Sequence, residues 1–599
     1  MKKLIGSNFE LDLTPYKITD TEENSWFSDS FTSKVTYPFD IDMTDELDIA
    51  FGFLSSDNTS PETLYKAMYY ENDRIHDAEF EILEIEGKRL QCSFEYGLEE
   101  FPSWNKKLSE LPLHKFDLVG KDIYEFAKEM IDKTYPEVDF CFPAIHTDQF
   151  SKDDDLWSEF QEMINCYRNG EFVRNDFDSE EILSYNRNIM QPVPFFLYLI
   201  KAGLGSYVLE GDVLTDEKLL NNAAYAPVEY FRKRVPPELS IFMMGDEYIS
   251  SPPEGPSWGF YQAIINVDRW GKYVLQGSVQ RILPSSFLGN VKVSFNGVVI
   301  YDNDTTDEYV ALEVFFETTN SDVNILTITT VSQIDIENII FSLEVMMLDE
   351  YDEFGQSIPV IQNEDKIDLT RAVPDMTFGE YFTMVCNWRN YDYYIDGNRV
   401  IMNRIQNQMD FDNMISLEKY EVKTPLRKAQ QGMSFLLKFQ DLESNTYNYK
   451  YDSVFHSKSG YVYSDYVENK KTNTIEVNAL PLPLLNRNGI ETAHSFEYNT
   501  SKVYAVVYPG LTNGKNKTLD PVEILMPAIH LTNWFIWFNF RINSQAYKWS
   551  FKAFSADILS LTVKSKIYAY KNLHYIKSLI RTQIEPDIYE VEIETESFK

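Results

Sequence analysis

The chain has 599 residues, more than one hydrophobic core accommodates, and its 44% hydrophobic and 15% aromatic residues exclude a disordered tail. Its 54 Lys and Arg residues against 94 Asp and Glu give a formal net charge of −40. Because no Lys/Arg cluster offsets this charge, the sequence excludes tight binding to DNA phosphates or to an anionic bilayer. A surface this acidic repels DNA, which suits a protein that lines a path for it.

The cysteines and apolar segments indicate a soluble protein made in a reducing cytosol. The cysteines are far apart and lack Cys-x-x-Cys spacing, so we expect buried thiols and neither disulfides nor a zinc site. Glu10 and Asp12 interrupt the N-terminal segment before the apolar region of a signal peptide can form. The most apolar stretch, residues 193–209, is too short and too polar to span a bilayer. The cysteines are Cys92, Cys141, Cys166 and Cys386.

Residues 1–110 show the alternation of a small antiparallel β-domain. Apolar and polar residues alternate over residues 34–43, where Pro38 predicts a local break or a free strand edge. Thr44 is a candidate N-cap for a short helix with an acidic first turn. A second strand over residues 79–86 changes phase midway, which predicts a β-bulge.

Residues 111–235 change to a helical period and predict an α/β domain. Apolar stripes over residues 123–131 and 156–167 are typical of amphipathic helices. A third apolar run begins at residue 195 and is closed by Gly203, which predicts another helix.

Residues 236–350 predict an inserted β-sandwich. Two Pro-Pro pairs, the first at residues 236–237, precede a series of predicted strands. An Asn-Gly pair at residues 296–297 lies between alternating runs and is typical of a two-residue hairpin. Alternation continues over residues 341–347, and the acidic residues 349–353 predict a linker that closes the segment.

Residues 351–430 predict an α/β connecting domain. A capping box at residues 377–380 predicts a helix through Trp388. An Asp-Gly pair at residues 396–397 predicts a hairpin turn.

Residues 431–599 predict a second β-domain. Residues 533–538 are too apolar for a strand with one solvated face, so we expect a strand buried between subunits. Alternation over residues 589–596 predicts an ordered final strand. We expect residues 1–110 and 431–599 to form β-barrels of the same topology.

The common catalytic and cofactor signatures are absent from the sequence. It has no phosphate-binding glycine loop, zinc-protease motif or nucleophile elbow, so we predict no enzyme, no catalytic residues, no cofactor and no metal. One patch, formed by His146, Asp148 and the aspartates at 153–155, offers ligands that suit calcium. We favour a solvated helix start whose aspartates face the helix dipole.

Aromatic residues near the start of the predicted sandwich are a second candidate site. Trp258, Tyr261 and Trp270 could form a platform for a sugar or a contact to a neighbouring protein. Because aromatic side chains on strands usually fill cores or subunit interfaces, we favour that interpretation.

Four stretches of the chain carry a resemblance to a known family. They are residues 28–47, residues 195–220, residues 374–402 and residues 566–593. Their order and spacing resemble the tail-tip, or baseplate-hub, proteins of tailed bacteriophages that infect Bacteroidetes-like hosts. The resemblance spans nearly the whole chain and includes no catalytic motif.

The resemblance implies two tail-tube-type β-barrels in each chain, here residues 1–110 and 431–599. It also implies a homotrimer in which six barrels form a ring that continues the tail tube, and through which genome DNA passes at infection. The large insertion at residues 236–350 departs from a minimal hub and affects the expected outer surface rather than the ring.

We therefore predict an α+β, mainly β, multidomain structural protein of the virion, a trimeric hub that closes or extends the tail tube. Its expected partners are other copies of the chain and neighbouring proteins such as the distal tail or tube, spike or fibre. We expect no specific nucleic-acid binding and no stable membrane insertion, and a place in the phage tail after assembly in the host cytoplasm. One alternative is a receptor- or glycan-binding tail protein that acts through the sandwich, and another is a polysaccharide depolymerase or other hydrolase.

Overall fold

The structure, a computed structural model, is mainly β-sheet with few helices and several separate cores, which confirms the predicted mainly-β multidomain class. The described residues are 2–598 except 28–33, 57–61, 72–73, 97–100, 152, 154, 179–182, 234–238, 245, 251–257, 320–323, 334–338, 353–354, 356, 359, 411, 430–432, 441–452, 464–471, 497, 559 and 586.

The N-terminal unit, residues 2–96, is the predicted antiparallel β-domain and has a core of its own. Its elements are β1 (Lys2–Gly6), β2 (Glu10–Asp12), β3 (Thr19–Glu23), β4 (Lys34–Thr36), β5 (Phe39–Asp42), α1 (Asp45–Ala50), β6 (Leu64–Glu71), β7 (Arg74–Glu86) and β8 (Arg89–Tyr96). The strand expected over 34–43 is divided at Pro38, because proline has no N–H to donate to a ladder. Thr44 caps α1, and β7 has a bulge at residues 82–84, both as predicted.

The next segment, residues 101–233, combines short strands with helices around a second core. Its elements are β9 (Lys115–Asp117), α2 (Ile123–Met130), β10 (Phe140–Cys141), β11 (Ile145–Thr147), β12 (Met163–Ile164), β13 (Tyr167–Arg168), β14 (Glu171–Phe172), β15 (Asp176–Asp178), β16 (Leu183–Tyr185), β17 (Val193–Pro194), α3 (Phe196–Leu204), β18 (Val208–Glu210), α4 (Glu217–Leu220), β19 (Asn222–Tyr225) and β20 (Arg232–Lys233). Helices α2 and α3 confirm two of the three predicted helices.

The helix predicted over residues 156–167 is wrong. Residues 155–157 form one 3-10 turn, and the segment continues as β12 and β13. Glu162 and Asn165 adopt φ values of 54° and 50°, which no right-handed helix contains. The Asn165 amide also donates to the backbone at Pro143 and Gln191, so buried hydrogen bonds hold the irregular backbone.

Two sheets between Leu239 and Glu350 form a β-sandwich, as the predicted fold class includes. Its strands are β21 (Leu239–Met244), β22 (Asp246–Ser250), β23 (Trp258–Asn266), β24 (Gly271–Gln280), β25 (Gly289–Phe295), β26 (Val298–Thr305), β27 (Tyr309–Glu317), β28 (Ile325–Gln333) and β29 (Ile340–Glu350). One sheet has the order β21-β29-β24-β27 and the other β22-β23-β28-β25-β26, with an apolar core of their own. Asn296 and Gly297 have φ values of 47° and 80°, as the predicted two-residue turn requires.

The ends of the sandwich differ in part from the expected linkers. Both Pro-Pro pairs, residues 236–237 and 252–253, lie outside the described residues, as does Glu353. The expected acidic linker begins later than predicted, because Asp349 and Glu350 still pair with β24.

The chain then returns to the core of residues 101–233. The elements up to the last helix of this core are β30 (Ile361–Gln362), β31 (Lys366–Asp368), α5 (Phe378–Arg389), β32 (Tyr391–Asp396), β33 (Arg399–Arg404), β34 (Ile415–Ser416), β35 (Leu426–Ala429), β36 (Ser434–Phe439), β37 (Ser453–Ser457), β38 (Gly460–Val462), β39 (Thr472–Val477), β40 (Ala479–Pro481), β41 (Leu484–Arg487), β42 (Ile490–Ser495), β43 (Val503–Val507), α6 (Met526–Ile529) and α7 (Phe535–Asn543). The capping box at the start of α5 and the hairpin of β32 and β33 are as predicted.

The strand predicted over residues 533–538 is also wrong. The chain forms a π-helical turn over His530–Trp534 and then α7. Trp537 and Phe538 are buried whereas Ile536 is half exposed, so the apolar run covers most sides of a helix that is sunk into the core. The argument for a two-faced strand between subunits therefore no longer holds.

The C-terminal unit combines residues 415–429 with residues 544–598. Its later elements are β44 (Ser544–Phe554), α8 (Ser555–Ile558), β45 (Lys566–Ala569), β46 (Asn572–Glu585) and β47 (Ile588–Phe598). β34 and β35 pair with β45 and β44, and Leu417 belongs to the core of this unit. Residues 589, 591, 593 and 595 are buried, which confirms the predicted alternation as far as Thr595, whereas Glu596 is buried instead of solvated.

The sandwich has its own core, but residues 111–235, 351–430 and most of 431–599, which the sequence assigned to three domains, share one core. One continuous core draws on residues 101–231, 361–405 and 435–542, which we call the central unit. Most of the segment 431–599 therefore packs with residues that were assigned to two other domains. The prediction that each terminal unit is a tube-type barrel stays a prediction.

The two terminal units share one 14-stranded sheet, which we call the joined sheet. Its main path runs β2-β1-β6-β7-β8-β4-β3-β46-β47-β44-β35. The junction is the antiparallel pairing of β3 with β46, from Thr19 opposite Thr582 to Glu23 opposite Ser578. The first and last strands of the chain thus lie in the same sheet.

A buried ion cluster lies at this junction. The Arg581 guanidinium donates to an Asp20 carboxylate oxygen at 2.7 and 3.0 Å and to Glu22 at 2.6 Å. The side chains of Asp20 and Glu22 are only 6% and 1% exposed. Because two carboxylates are buried here, the positive charge is needed to compensate for their lost hydration.

We expect Arg581→Met to lower the free energy of unfolding by about 3–5 kcal/mol, because it removes the guanidinium that contacts the buried carboxylates of Asp20 and Glu22. Denaturant titration of the purified chain measures this change. A matched control is Arg89→Met, which removes an exposed ion pair with Asp40 and should cost at most about 1 kcal/mol. Equal losses in the two variants would contradict the role given to the junction.

The sandwich should be removable without unfolding the rest of the chain. The chain leaves the central unit after β20 and returns to it at β30, and these two strands pair with Lys233 opposite Ile361. We expect replacement of residues 234–360 by an Asn-Gly turn to give a soluble, cooperatively unfolding protein. A control deletion of residues 234–367 also removes Ile361 and Ile367 from the central core and should not fold. Circular dichroism and thermal unfolding distinguish these results, and insolubility of the first variant would refute the boundary.

Candidate functional site

The side of the joined sheet that faces away from the two terminal cores is what we call the outer face; the central unit covers it at Glu596, which contacts Arg541, and at Tyr575, which belongs to the central core. Register places residues from both terminal units in one row across it. Paired residues in a sheet point to the same side, so this row has one orientation from β7 to β44. On the strands other than β4 the row consists of Glu79, Glu95, Thr21, Ile580, Glu592 and Ser550.

The outer face is mainly acidic. Its carboxylates lie on strands of both terminal units and are exposed or half exposed, whereas the alternating residues of the same strands fill the cores. Lysines interrupt it at a few positions: Lys548 contacts Glu592 at 2.5 Å, and Lys577 contacts Glu594 at 3.3 Å. Acidic residues of the face are Glu23, Asp77, Glu79, Glu81, Glu95, Glu590, Glu592 and Glu594.

A second polar contact joins all three parts of the main body. Asp392, on β32 of the central unit, accepts hydrogen bonds from Ser25 Oγ at 2.7 Å and from Trp26 Nε1 at 2.8 Å. Lys564 of the C-terminal unit contacts the same carboxylate at 2.7 Å. A cleft of about 580 Å³ lies beside this contact and is lined in part by Trp537. The contact restrains the central unit against both terminal units.

The central unit contains a buried carboxylate cluster around Asp216. Arg404 contacts it at 2.6 Å and Arg389 at 3.9 Å, while the Tyr391 hydroxyl donates to it at 2.9 Å. Burial disfavours the charged carboxylate, but the two guanidinium groups outweigh that effect and hold the pKa of Asp216 below its usual value. The arrangement neutralises charge inside the core.

Two buried histidines link β37 to the π-helical turn. His456 Nδ1 lies 3.0 Å from His530 Nε2, and Phe535 and Phe538 pack around the pair. Burial and the neighbouring His456 lower the pKa of His530 to about 3, so the pair is uncharged at neutral pH. Uncharged imidazoles 3.0 Å apart share a hydrogen bond and hold the sheet against the helix.

Two residues of the predicted calcium patch, Asp148 and His146, are engaged in other contacts. Asp148 contacts Arg487 at 2.6 Å and His494 at 2.7 Å. His146 Nε2 lies 3.0 Å from the Ile490 carbonyl, and Asp154 lies outside the described residues. Within the described part of the chain, no group of three or more His, Cys, Asp or Glu side chains is placed to hold a metal ion.

Of the three predicted aromatic residues, Tyr261 and Trp270 have different neighbours. Tyr261 packs against the sandwich core, whereas Trp270 contacts Tyr351 edge to face with ring centroids 5.6 Å apart. The side chain of Trp258 lies outside the described residues. For Tyr261 the favoured core interpretation is confirmed.

The Asp216 and Asp20 clusters had no signal in the sequence. Arg404 lies 188 positions after Asp216, by subtraction of the residue numbers, and no motif connects them. A helical position with a long basic side chain, such as Arg389 at the end of α5, is normally solvated, so its complete burial is visible only in the fold.

Comparison with known proteins gives few likenesses. No protein-family model matches the chain, and no curated protein matches it. Among solved structures, the tail protein from Neisseria meningitidis MC58 is 6% identical, with a TM-score of 0.20, over 56% of this chain and 96% of that one.

Two carbohydrate-active enzymes show similarly weak likeness. A cycloisomaltooligosaccharide glucanotransferase from Paenibacillus sp. is 11% identical, with a TM-score of 0.12, over 26% of this chain and 22% of that one. An exo-β-1,3-galactanase from Phanerochaete chrysosporium is 11% identical, with a TM-score of 0.11, over 55% and 67%. TM-scores this low support no conclusion about the fold or function of this chain.

The length and composition of the helices bear on whether they could cross a membrane. Among the residues that the structure describes, none of the helices is both long enough and apolar enough to cross a bilayer.

We expect Asp216→Asn to lower the free energy of unfolding by about 3–5 kcal/mol at neutral pH, because it leaves buried guanidinium groups unpaired. Since the pKa of Asp216 is lowered in the folded chain, its stabilisation is complete above about pH 4 and is lost as the pH falls through the folded value. The difference between wild type and variant should therefore shrink in acid.

Denaturant titrations between neutral and acidic pH test this dependence. The control is Asp396→Asn, which removes an exposed pair with Arg399 and should cost at most about 1 kcal/mol. A difference between wild type and Asp216→Asn that is independent of pH would show that the carboxylate charge is not responsible.

Proposed function

We propose that this chain is a structural subunit of a phage tail tip, a trimeric hub that surrounds the channel through which genome DNA leaves. The observation that supports this most directly is the joined sheet, whose outer face carries exposed or half-exposed carboxylates on strands of both terminal units. The resemblance of the chain to tail-tip hub proteins agrees with this proposal. In this role the chain works by shape and charge and requires neither a catalytic residue nor a cofactor.

The electrostatics of the outer face suit a DNA channel. Carboxylates such as Glu81 and Glu590 repel phosphates, so DNA passes without forming the counterion-releasing contacts that make basic surfaces adhesive. The lysines on the face are partly neutralised by neighbouring carboxylates, as Lys548 is by Glu592. The face therefore guides DNA without holding it.

The other expected partners are neighbouring tail proteins. The sandwich leaves the central unit through one two-stranded stem, β20 and β30, and so is free to extend from the body of a hub. In this proposal it contacts a fibre, spike or tube protein, and the assembled chain is a component of the virion.

A second candidate function is recognition of a receptor or a glycan by the sandwich. The observation that favours it is a pair of exposed apolar side chains on one face of β23: Phe260 is 45% exposed and Ile264 52%. Contiguous exposed apolar groups commonly mark interaction sites. Position in the particle separates the candidates, because a hub lies on the tail axis and a receptor-binding protein at the periphery.

Electron microscopy of tails from the virus that encodes the chain tests the proposal. We expect copies in multiples of three around the axis, with the outer face towards the channel. A peripheral position, or a copy number that is not a multiple of three, would refute the hub.

Charge reversal on the outer face provides a functional test. We expect Glu81→Lys together with Glu590→Lys to slow DNA release several-fold while tails still assemble, because added cations bind phosphates. The matched control is Glu344→Lys, an exposed carboxylate on the sandwich, which should leave the rate unchanged. The effect should weaken in high salt, and unchanged release by the double variant would contradict a channel lining.

A further inference from the structure

The joined sheet ends in two strands that have one neighbour each among the described residues. At one end β2 pairs with β1, and at the other β35 pairs with β44. A strand edge of this kind presents backbone groups that can pair with another chain. These two edges differ strongly in charge.

The β2 edge is acidic and its backbone faces outward. The Gly6 N–H donates to the Phe9 carbonyl, and the Leu13 N–H donates to the Lys2 carbonyl. Since hydrogen bonding alternates along an antiparallel pair, the backbone groups of Glu10 and Asp12 point away from β1. Both side chains are exposed.

Asp12 is the more available of the two acids. Glu10 already contacts Lys3 of the same chain. Asp12 accepts a hydrogen bond from the Thr14 N–H at 3.0 Å, which helps to keep its carboxylate ionised. Asp12 thus carries an ionised carboxylate on the last strand at this end of the sheet.

The β35 edge is basic, which is unusual in a chain of net charge −40. Leu426, Arg427 and Lys428 are all exposed, and Lys423 just before the strand is exposed too. The basic β35 edge and the acidic β2 edge lie at opposite ends of the joined sheet.

The charged side chains at the two edges also point to the same side of the joined sheet. Leu426 lies opposite Lys548, which lies opposite Glu594 of the outer face, and Lys428 follows Leu426 by two positions. Asp12 lies opposite Lys3, whose strand continues the same face through β6 and β7. Asp12 and Lys428 therefore both lie on the outer face, where side chains of paired strands meet.

We infer that β35 of one copy of the chain pairs edge to edge with β2 of a second copy, with Lys428 near Asp12. The choice of a second copy rests on the proposed hub function and on the opposite charges of the two edges. Pairing β2 with β2 places acids together, and pairing β35 with β35 places bases together. The favoured contact is head to tail, and repeating such a contact generates a ring if the rotation closes.

Cross-linking between two different variants tests this contact. One chain carries Asp12→Cys and the other Lys428→Cys, and the two are mixed with a short bifunctional thiol reagent. The native cysteines, Cys92, Cys141, Cys166 and Cys386, are buried and should react little. We expect a covalent dimer in the mixture and none when either variant is treated alone.

Charge reversal tests the electrostatic part of the inference. We expect Asp12→Lys or Lys428→Asp alone to weaken self-association at least about tenfold, since like charges then face each other. The chain with both changes should regain it. Sedimentation velocity measures association, and Asp396→Lys is an exposed control away from both edges that should have no effect.

The outcomes separate this inference from the proposed function. Dimers that form equally in either single-cysteine sample, or reversals that leave association unchanged, overturn the edge pairing even if the chain lies on the tail axis. A chain that stays monomeric up to its solubility limit also overturns it. If mixed dimers form and the reversals compensate but the chain is absent from the tail axis, the edge pairing stands and the hub function fails.

Discussion

The pairing of β3 with β46 is the contact on which the arrangement of the terminal units depends. It makes two β-units with separate cores into one sheet, and the Arg581 guanidinium compensates for the carboxylates of Asp20 and Glu22 where the two cores meet. Because the cluster is buried, it requires one register. A slip of one residue would turn Asp20 and Glu22 towards the solvent, together with the apolar side chains on the same side of the slipped strand. The placement of carboxylates from both terminal units on one outer face follows from that register.

The central unit explains why two β-units from opposite ends of the chain can meet. Its core draws on three separate segments of the chain, so the chain enters and leaves this core repeatedly. Between the second and third of these segments, the short stretch that contains β34 and β35 packs in the C-terminal unit. The Asp392 contact with Trp26 and Lys564 then holds both terminal units against the central one. Polar groups at that point give orientation, whereas the apolar cores supply most of the stability.

Local features of the chain were predictable where the pattern of neighbouring residues agrees with the folded structure. Alternation, the Thr44 and Thr377 caps and the Asn296 turn depend on neighbouring residues and were found. The segments 156–167 and 533–538 were mispredicted because tertiary contacts overrode the pattern, through left-handed residues in the first and burial of a helix on most sides in the second. Core membership and the charge clusters join residues hundreds of positions apart, and no spacing within one sequence shows them.

The junction also has a consequence for how the chain is made. Asp20 and Arg581 are 561 positions apart, so β3 has no partner at the junction until nearly the whole chain has left the ribosome. At roughly 5–20 residues per second, the N-terminal unit waits about 30–110 s with that edge open. The charged residues Asp20, Glu22 and Glu23 of β3 are features that discourage wrong strand pairing during this interval. Synthesis thus ends with the event that joins the two halves of the sheet.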